Sequence, residues 1–232
     1  MNRKLRSTAT CCIIVMMASL MTRIIAASSP PAEPRWQTGD RNQDAALKYL
    51  RPALFSANKS GRFYYFTACD GPRLPFPRIS VQPFPKNKKG LEAVRHIFKP
   101  DQAVTVTELG DDIIRVNVGK APNPILQTKI RLLRLNPREQ YTSDLAVLAI
   151  NNTNEVKAAA ATLGLQRPIV VSSIRIMEPM KGLPHLPASM KDVTMDQALD
   201  AVAKTFGVIV VFGECAARTG NHLYDLYVLG ID

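Results

Sequence analysis

The chain lacks the short motifs that usually announce an enzyme. Neither G-x-G-x-x-G nor G-x-x-x-x-G-K-[ST] occurs, so no glycine-rich loop stands ready to cradle phosphates. A G-x-S-x-G nucleophile elbow is missing, as is H-E-x-x-H. Histidine is scarce, with three in 232 residues. His96, His185 and His222 are far apart, and a zinc site would have to gather them with Cys69 or Cys215. Aromatic residues make up 6%, and Trp occurs once. The triplet Phe63, Tyr64 and Tyr65 therefore reads as core, not as a platform for stacked bases. No cofactor is expected from these absences.

Lysine and arginine are plentiful. The formal charge is +11, which on its own points toward nucleic acid. The first residues change that reading. Arg3, Lys4 and Arg6 precede a mostly apolar stretch from Thr8 to Met21, and Ala26, Ala27 and Ser28 follow. A basic start, an apolar middle and small residues are the order of a secretory signal peptide. Arg23 interrupts it, and the apolar run is short for a spanning helix. Cleavage after Ala27 is the expectation, and an inner-membrane anchor of residues 8–27 is the alternative. Cleavage removes Arg3, Lys4, Arg6 and Arg23 and no acid, so four positive charges leave and the mature chain stands at +7. An exported protein of that charge meets anionic envelope components or acidic proteins before nucleic acid. A membrane is touched only through an uncleaved leader, if at all.

Four cysteines are present. Cys11 and Cys12 precede most of the apolar run and are not placed as lipoprotein cysteines are. Export leaves Cys69 and Cys215, and an oxidising compartment favours one disulfide between them, with two separate buried thiols as the alternative. Closing so long a loop contributes roughly 4–5 kcal/mol in the chain-entropy model.

Residues 28–40, "SSPPAEPRWQTGD", read as a flexible lead-in. A first α/β unit is expected over 41–120 and a second over 125–232, with "APNP" at 121–124 as the boundary. In the first, residues 44–57 have helical periodicity that Pro52 is expected to bend or divide, and 62–69 form a strand. A short strand is possible within 78–82. A helix over 88–98 precedes a hairpin over 103–119. In the second, "LQTKIRLLRLN" is a strand whose Lys129 and Arg131 point away from the core. Residues 143–164 are helical with a break near Asn151 and Asn152. Residues 168–179 are a strand, and another is possible near 188–190. Thr194 and Gln197 have capping-box spacing ahead of a helix that Gly207 can end. The apolar "VIVVF" at 208–212 predicts a central strand, and 222–229 the last one.

The two helices match each other. Leu91, Ala93, Val94 and Phe98 align with Leu199, Ala201, Val202 and Phe206, in an apolar spacing that must face a sheet. Each lies in a β-α-β-β order, as in an internal duplication. The predicted class is α+β: two βαββ-type units with helices packed on small antiparallel or mixed sheets. Val193, Thr194, Met195, Ala198, Leu199, Asp200, Val202 and Gly207 resemble the secretin and TonB short N-terminal domain. The resemblance covers 187–230, and less clearly 79–119. It implies a small periplasmic interaction module and carries over no catalytic residue.

The candidate binding residues are basic: Lys86, Lys88 and Lys89 before the first matched helix, and Lys129, Arg131, Arg134 and Arg138 along and after the middle strand. They suit an envelope protein or an anionic envelope component. A solvated face, with cations that discourage edge pairing, is the plainer reading. A hydrolase or thiol enzyme built on Cys215 and His222, or acid–base work by Asp111 and Asp112, is the rival. Asn58 and Asn151 open N-x-[ST] triplets, read as incidental.

Overall fold

The computed structural model describes residues 41–69, 74–85, 87–120, 122–167, 179–180, 182–217 and 222–230. The expected leader, the lead-in, Lys86 and all but the last residue of the strand proposed at 168–179 lie outside the described residues. The class is α+β with mixed sheets, as the pattern of helices and strands implies.

Helix α1 (Arg41–Phe55) leads into strand β1 (Ser60–Cys69). Helix α2 (Gly90–Phe98) precedes the hairpin β2 (Val104–Leu109) and β3 (Ile113–Val118). A 3-10 turn (Pro124–Gln127) then opens strand β4 (Lys129–Arg134). Three helices follow: α3 (Pro137–Tyr141), α4 (Ser143–Asn151) and α5 (Asn154–Thr162). The chain closes with β5 (Leu165–Gln166), β6 (Ser189–Thr194), α6 (Met195–Phe206), β7 (Ile209–Ala217) and β8 (His222–Leu229).

Both halves supply strands to one sheet, in the order β2-β3-β1-β7-β8-β5, and the described residues form one compact unit. The expected division at 121–124 therefore falls within a shared sheet. β1 lies at its centre, parallel to β3 on one side and to β7 on the other. A parallel strand covered on both faces needs apolar residues at nearly every position, and residues 60–65 of β1 are all buried. The apolar run of 208–212 meets the same demand in β7, which continues to Ala217 and so includes Cys215 instead of ending before it.

Each face of the sheet has its own core. On one, α1 and α2 cover Phe63, Tyr65, Ile114, Val116, Ile209 and Val211. On the other, α4, α5 and α6 cover Tyr64, Val210, Phe212, Tyr224 and Leu226. The two matched helices thus lie on opposite faces. β2 and β7, the strands that follow them, run in opposite directions, because β2 is antiparallel to β3 while β3, β1 and β7 are parallel. The β-α-β-β order recurs with one copy turned over relative to the other.

Several local expectations change. Pro52 stays inside α1 without dividing it. The buried Leu47, Leu50, Ala53 and Leu54 hold the helix against the core. Residues 78–82 are not a strand. Two of their amides are taken up elsewhere, Ser80 donating to Asp101 and Gln82 to the Ile97 carbonyl. The capping box of Thr194 and Gln197 forms as expected, and Gly207 ends α6 at φ 62°. A left-handed residue there is costly for anything but glycine.

Candidate functional site

Two charged constellations stand out, one buried and one exposed. The buried one begins with Arg62, the charged residue of β1. Parallel register sets Arg62 of β1 directly beside Arg115 of β3, on the face covered by α6. Two cations side by side repel. Asp196 resolves this from the first turn of α6: one carboxylate oxygen accepts from Arg62 at 2.8 Å, the other from Arg115 at 2.7 Å. Asp200, one turn later, accepts from Arg62 and lies 3.8 Å from Arg115. Tyr64 donates its hydroxyl to Asp196 and accepts from Arg62. Its ring sits between the cations, with its centroid 5.1 Å from the Arg62 guanidinium and 5.0 Å from that of Arg115.

The Arg62 side chain is 0% exposed. Burial pushes the Asp196 carboxyl up, but Arg62, the Tyr64 hydrogen bond and Arg115 outweigh it and hold the group below the ordinary value. Asp200 goes the other way, raised by burial and by the charge of Asp196 against the pull of the arginines. Burial keeps the Tyr64 hydroxyl protonated. Two cations and two carboxylates thus neutralise each other, each acid already engaged by a cation. The arrangement clamps α6 to the sheet. Among the described residues no group of three histidine, cysteine or acidic side chains could hold a metal.

The exposed constellation is a separate two-stranded ribbon, β4 paired antiparallel with β6. Ile130 and Leu133 anchor it to the α4–α6 core. Strict alternation from Ile130 would turn Leu132 and Arg134 inward as well. Instead Asp192, opposite Arg131, takes a left-handed conformation at φ 54°. The pairing of Arg131 with Asp192 drops out of the ladder there, while pairs on either side keep their register. The alternation of β4 resets at that point, so Leu133 faces in and Arg134 stays out. The outer face carries Lys129, Arg131, Leu132 and Arg134 from β4, with Ser189, Lys191 and Asp192 from β6. The internal ion pairs are loose: Lys129 to Asp192 at 3.9 Å and Arg131 to Glu155 at 3.7 Å, with the Arg131 side chain 87% exposed.

The sequence-predicted basic residues do not form one patch. Lys129, Arg131 and Arg134 share the ribbon, and Arg138 is exposed on α3, which follows it. Lys88 and Lys89 precede α2 in the layer on the opposite side of the main sheet. Lys191 was not singled out from the sequence. It joins the ribbon because β6 runs to Thr194, beyond the short strand expected near 188–190.

Cys69 and Cys215 are bridged, with Cα atoms 5.6 Å apart on neighbouring strands. The bridge is buried, under Leu74 and Leu223. In that state Cys215 offers no thiolate to His222, which is exposed on β8. Asp112 is engaged by Lys204, whose hydrogen bond holds its carboxyl below the ordinary range. Asn151 is 5% exposed and accepts from the Tyr224 hydroxyl at 3.0 Å, so it has no room for a sugar.

No protein-family model matches the chain, and no curated protein or solved structure matches it either. None of the described helices is long and apolar enough to cross a membrane.

Proposed function

We propose that the protein is an exported, non-enzymatic binding module of the cell envelope, and that it docks through the outer face of the β4–β6 ribbon. The observation that carries the reading is the kink at Asp192. It keeps Arg134 in solvent beside Lys191, Arg131 and Lys129, where regular alternation would have buried it. A ribbon held by apolar residues on one side presents cations on the other, and such a surface steers anionic partners.

Export is supported by the leader-like order of residues 1–27 and by the Cys69–Cys215 bridge, since structural disulfides persist in oxidising compartments. The order β6-α6-β7-β8 is also that of the short periplasmic module which residues 187–230 resemble. A non-enzymatic role is supported by the neutralised buried cluster and by the oxidised state of Cys215.

Two measurements test the reading. Residues 1–34 fused to an export-dependent reporter should deliver it outside the cytosol; retention would remove the compartment. Crosslinking of the exported protein in intact envelopes should lose its products when Lys129, Arg131 and Arg134 are replaced by Glu. Products that persist unchanged would remove the ribbon as the docking surface.

A further inference from the structure

The chemistry of the ribbon narrows the partner. Resting on the docking reading above, we infer that the outer face of the β4–β6 ribbon receives an extended peptide in which acidic side chains alternate with apolar ones.

Three observations converge. The first is spacing. Lys129 and Arg131 are two residues apart on β4, as are Leu132 and Arg134. Residues two apart on a strand stand roughly 6.5–7 Å from each other, which is the repeat of alternate side chains on a second strand. The second is composition. Leu132 is 38% exposed between Arg131 and Arg134, and Lys191 is its cross-strand partner. An apolar side chain within a ring of cations asks for an apolar contact as well as negative charge. The third is the built-in carboxylates. Asp192 lies 3.9 Å from Lys129 and Glu155 lies 3.7 Å from Arg131. Exposed pairs of this kind contribute little, so a partner carboxylate can displace them.

The same facts weigh against a sulfated glycan or an anionic bilayer. A continuous polyanion would lie against Asp192 and Glu155 and be repelled by both. A bilayer rewards a broad apolar surface, and the outer face offers one exposed leucine. A peptide can space its acids over Lys129, Arg131 and Arg134 and its apolar residues over Leu132, so that Asp192 and Glu155, displaced from Lys129 and Arg131, meet no continuous run of negative charge.

The test uses the full mature chain and three probes: a labelled, end-blocked (Glu-Val)4 peptide, a (Glu-Ser)4 peptide of equal charge, and phosphatidylglycerol vesicles with heparin beside them. Fluorescence anisotropy should show binding of (Glu-Val)4 at least about threefold tighter than of (Glu-Ser)4, and salt should weaken it. The pair Arg131→Glu and Arg134→Glu should weaken it by about tenfold or more. Leu132→Ser should erase the difference between the peptides while circular dichroism stays unchanged. Equal binding of the two peptides, or no binding of either, overturns the inference, and so does tighter binding of vesicles or heparin. Envelope crosslinking keeps the two levels apart. If crosslinks depend on the ribbon cations but the peptides fail, the partner chemistry falls and the docking surface stands. If crosslinks ignore those cations, the surface falls with it.

Discussion

Arg62 and Asp196 are 134 residues apart in sequence and 2.8 Å apart in space, and their contact joins the central strand to the helix that covers it. Arg62 also donates to the Asp196 backbone carbonyl at 3.0 Å, so the guanidinium grips both main chain and side chain of the first turn. Its removal leaves Asp196 and Asp200 short of a cation and opens a cavity under α6. Loss of one partner from a buried pair costs about 3–5 kcal/mol. Arg62→Ala should therefore lower unfolding free energy by that amount in urea melts. Arg62→Met, which refills the space, should recover little, because the carboxylates stay uncompensated. A fully stable Arg62→Met would show that the pairs are dispensable.

The same contact predicts an acid limit. Asp196 has a folded value held below the ordinary 3.8 by its partners, after burial is overcome. A depressed carboxyl stabilises the fold fully above its unfolded value, and that contribution is lost as pH falls through the folded one. Asp200 is raised, and its contribution has the opposite slope. Unfolding free energy measured from pH 5 downward should decline more steeply in Asp200→Asn than in the Asp196→Asn, Asp200→Asn double variant. Equal slopes would show that Asp196 is not depressed.

Little of that cluster was legible from the residues alone. Asp196 has the local pattern of a first-turn acid and Arg115 that of a polar residue alternating with Ile114 and Val116 on a strand. What joins them is the parallel pairing of β1 with β3, which sets Arg62 beside Arg115, and no local pattern encodes it. By contrast α6 was readable from end to end, because Thr194, Gln197, the apolar stripe and Gly207 are all local signals. Helix α3 had such a signal too, Asn136 capping with Pro137 next and Glu139 completing the box, and it was overlooked. The outward turn of Arg134 was hidden for another reason: a single left-handed residue on the neighbouring strand resets the alternation.

The disulfide gives a prediction about the unfolded chain. The bridge spans 146 residues, and closing a loop of that size contributes about 4–5 kcal/mol in the chain-entropy model. Cys69→Ser with Cys215→Ser should lose a stability of that order, with the difference shrinking when wild type is measured under reducing conditions. Mass spectrometry after alkylation of the exported protein, denatured but unreduced so that buried thiols are reached, should find Cys69 and Cys215 unlabelled. Labelling at both would remove the bridge.

The close approach of β1 to α1 and β7 predicts intolerance at Gly61. A Cβ there would come within 2.9 Å of both Ile209 Cγ1 and Leu54 Cδ1. Both neighbours are fully buried, so neither can swing into solvent. Overpacking of this kind costs about 1–3 kcal/mol. Gly61→Ala should show that loss in urea melts, and Gly61→Ala with Leu54→Ala should not add the two penalties, because the second change vacates the space the first needs. Full additivity would mean that Leu54 is not the obstacle.

Asp192 decides whether the ribbon's cations face outward, so its backbone is the most direct handle on the docking surface. A left-handed conformation is uncommon for a non-glycine residue and most costly for a β-branched one. The Asp192 side chain is 70% exposed and lies 3.9 Å from Lys129, so its removal costs little by itself. Asp192→Gly should keep or slightly raise stability, while Asp192→Val should lose about 1–3 kcal/mol. The valine variant also favours a regular strand, in which Arg134 would turn toward Leu133's place in the core. Burying that cation is unfavourable, so the ribbon should loosen instead, and amide exchange across β4 and β6 should quicken in Asp192→Val but not in Asp192→Gly. Equal protection in the two variants would show that the left-handed turn at Asp192 does not set the face of the ribbon.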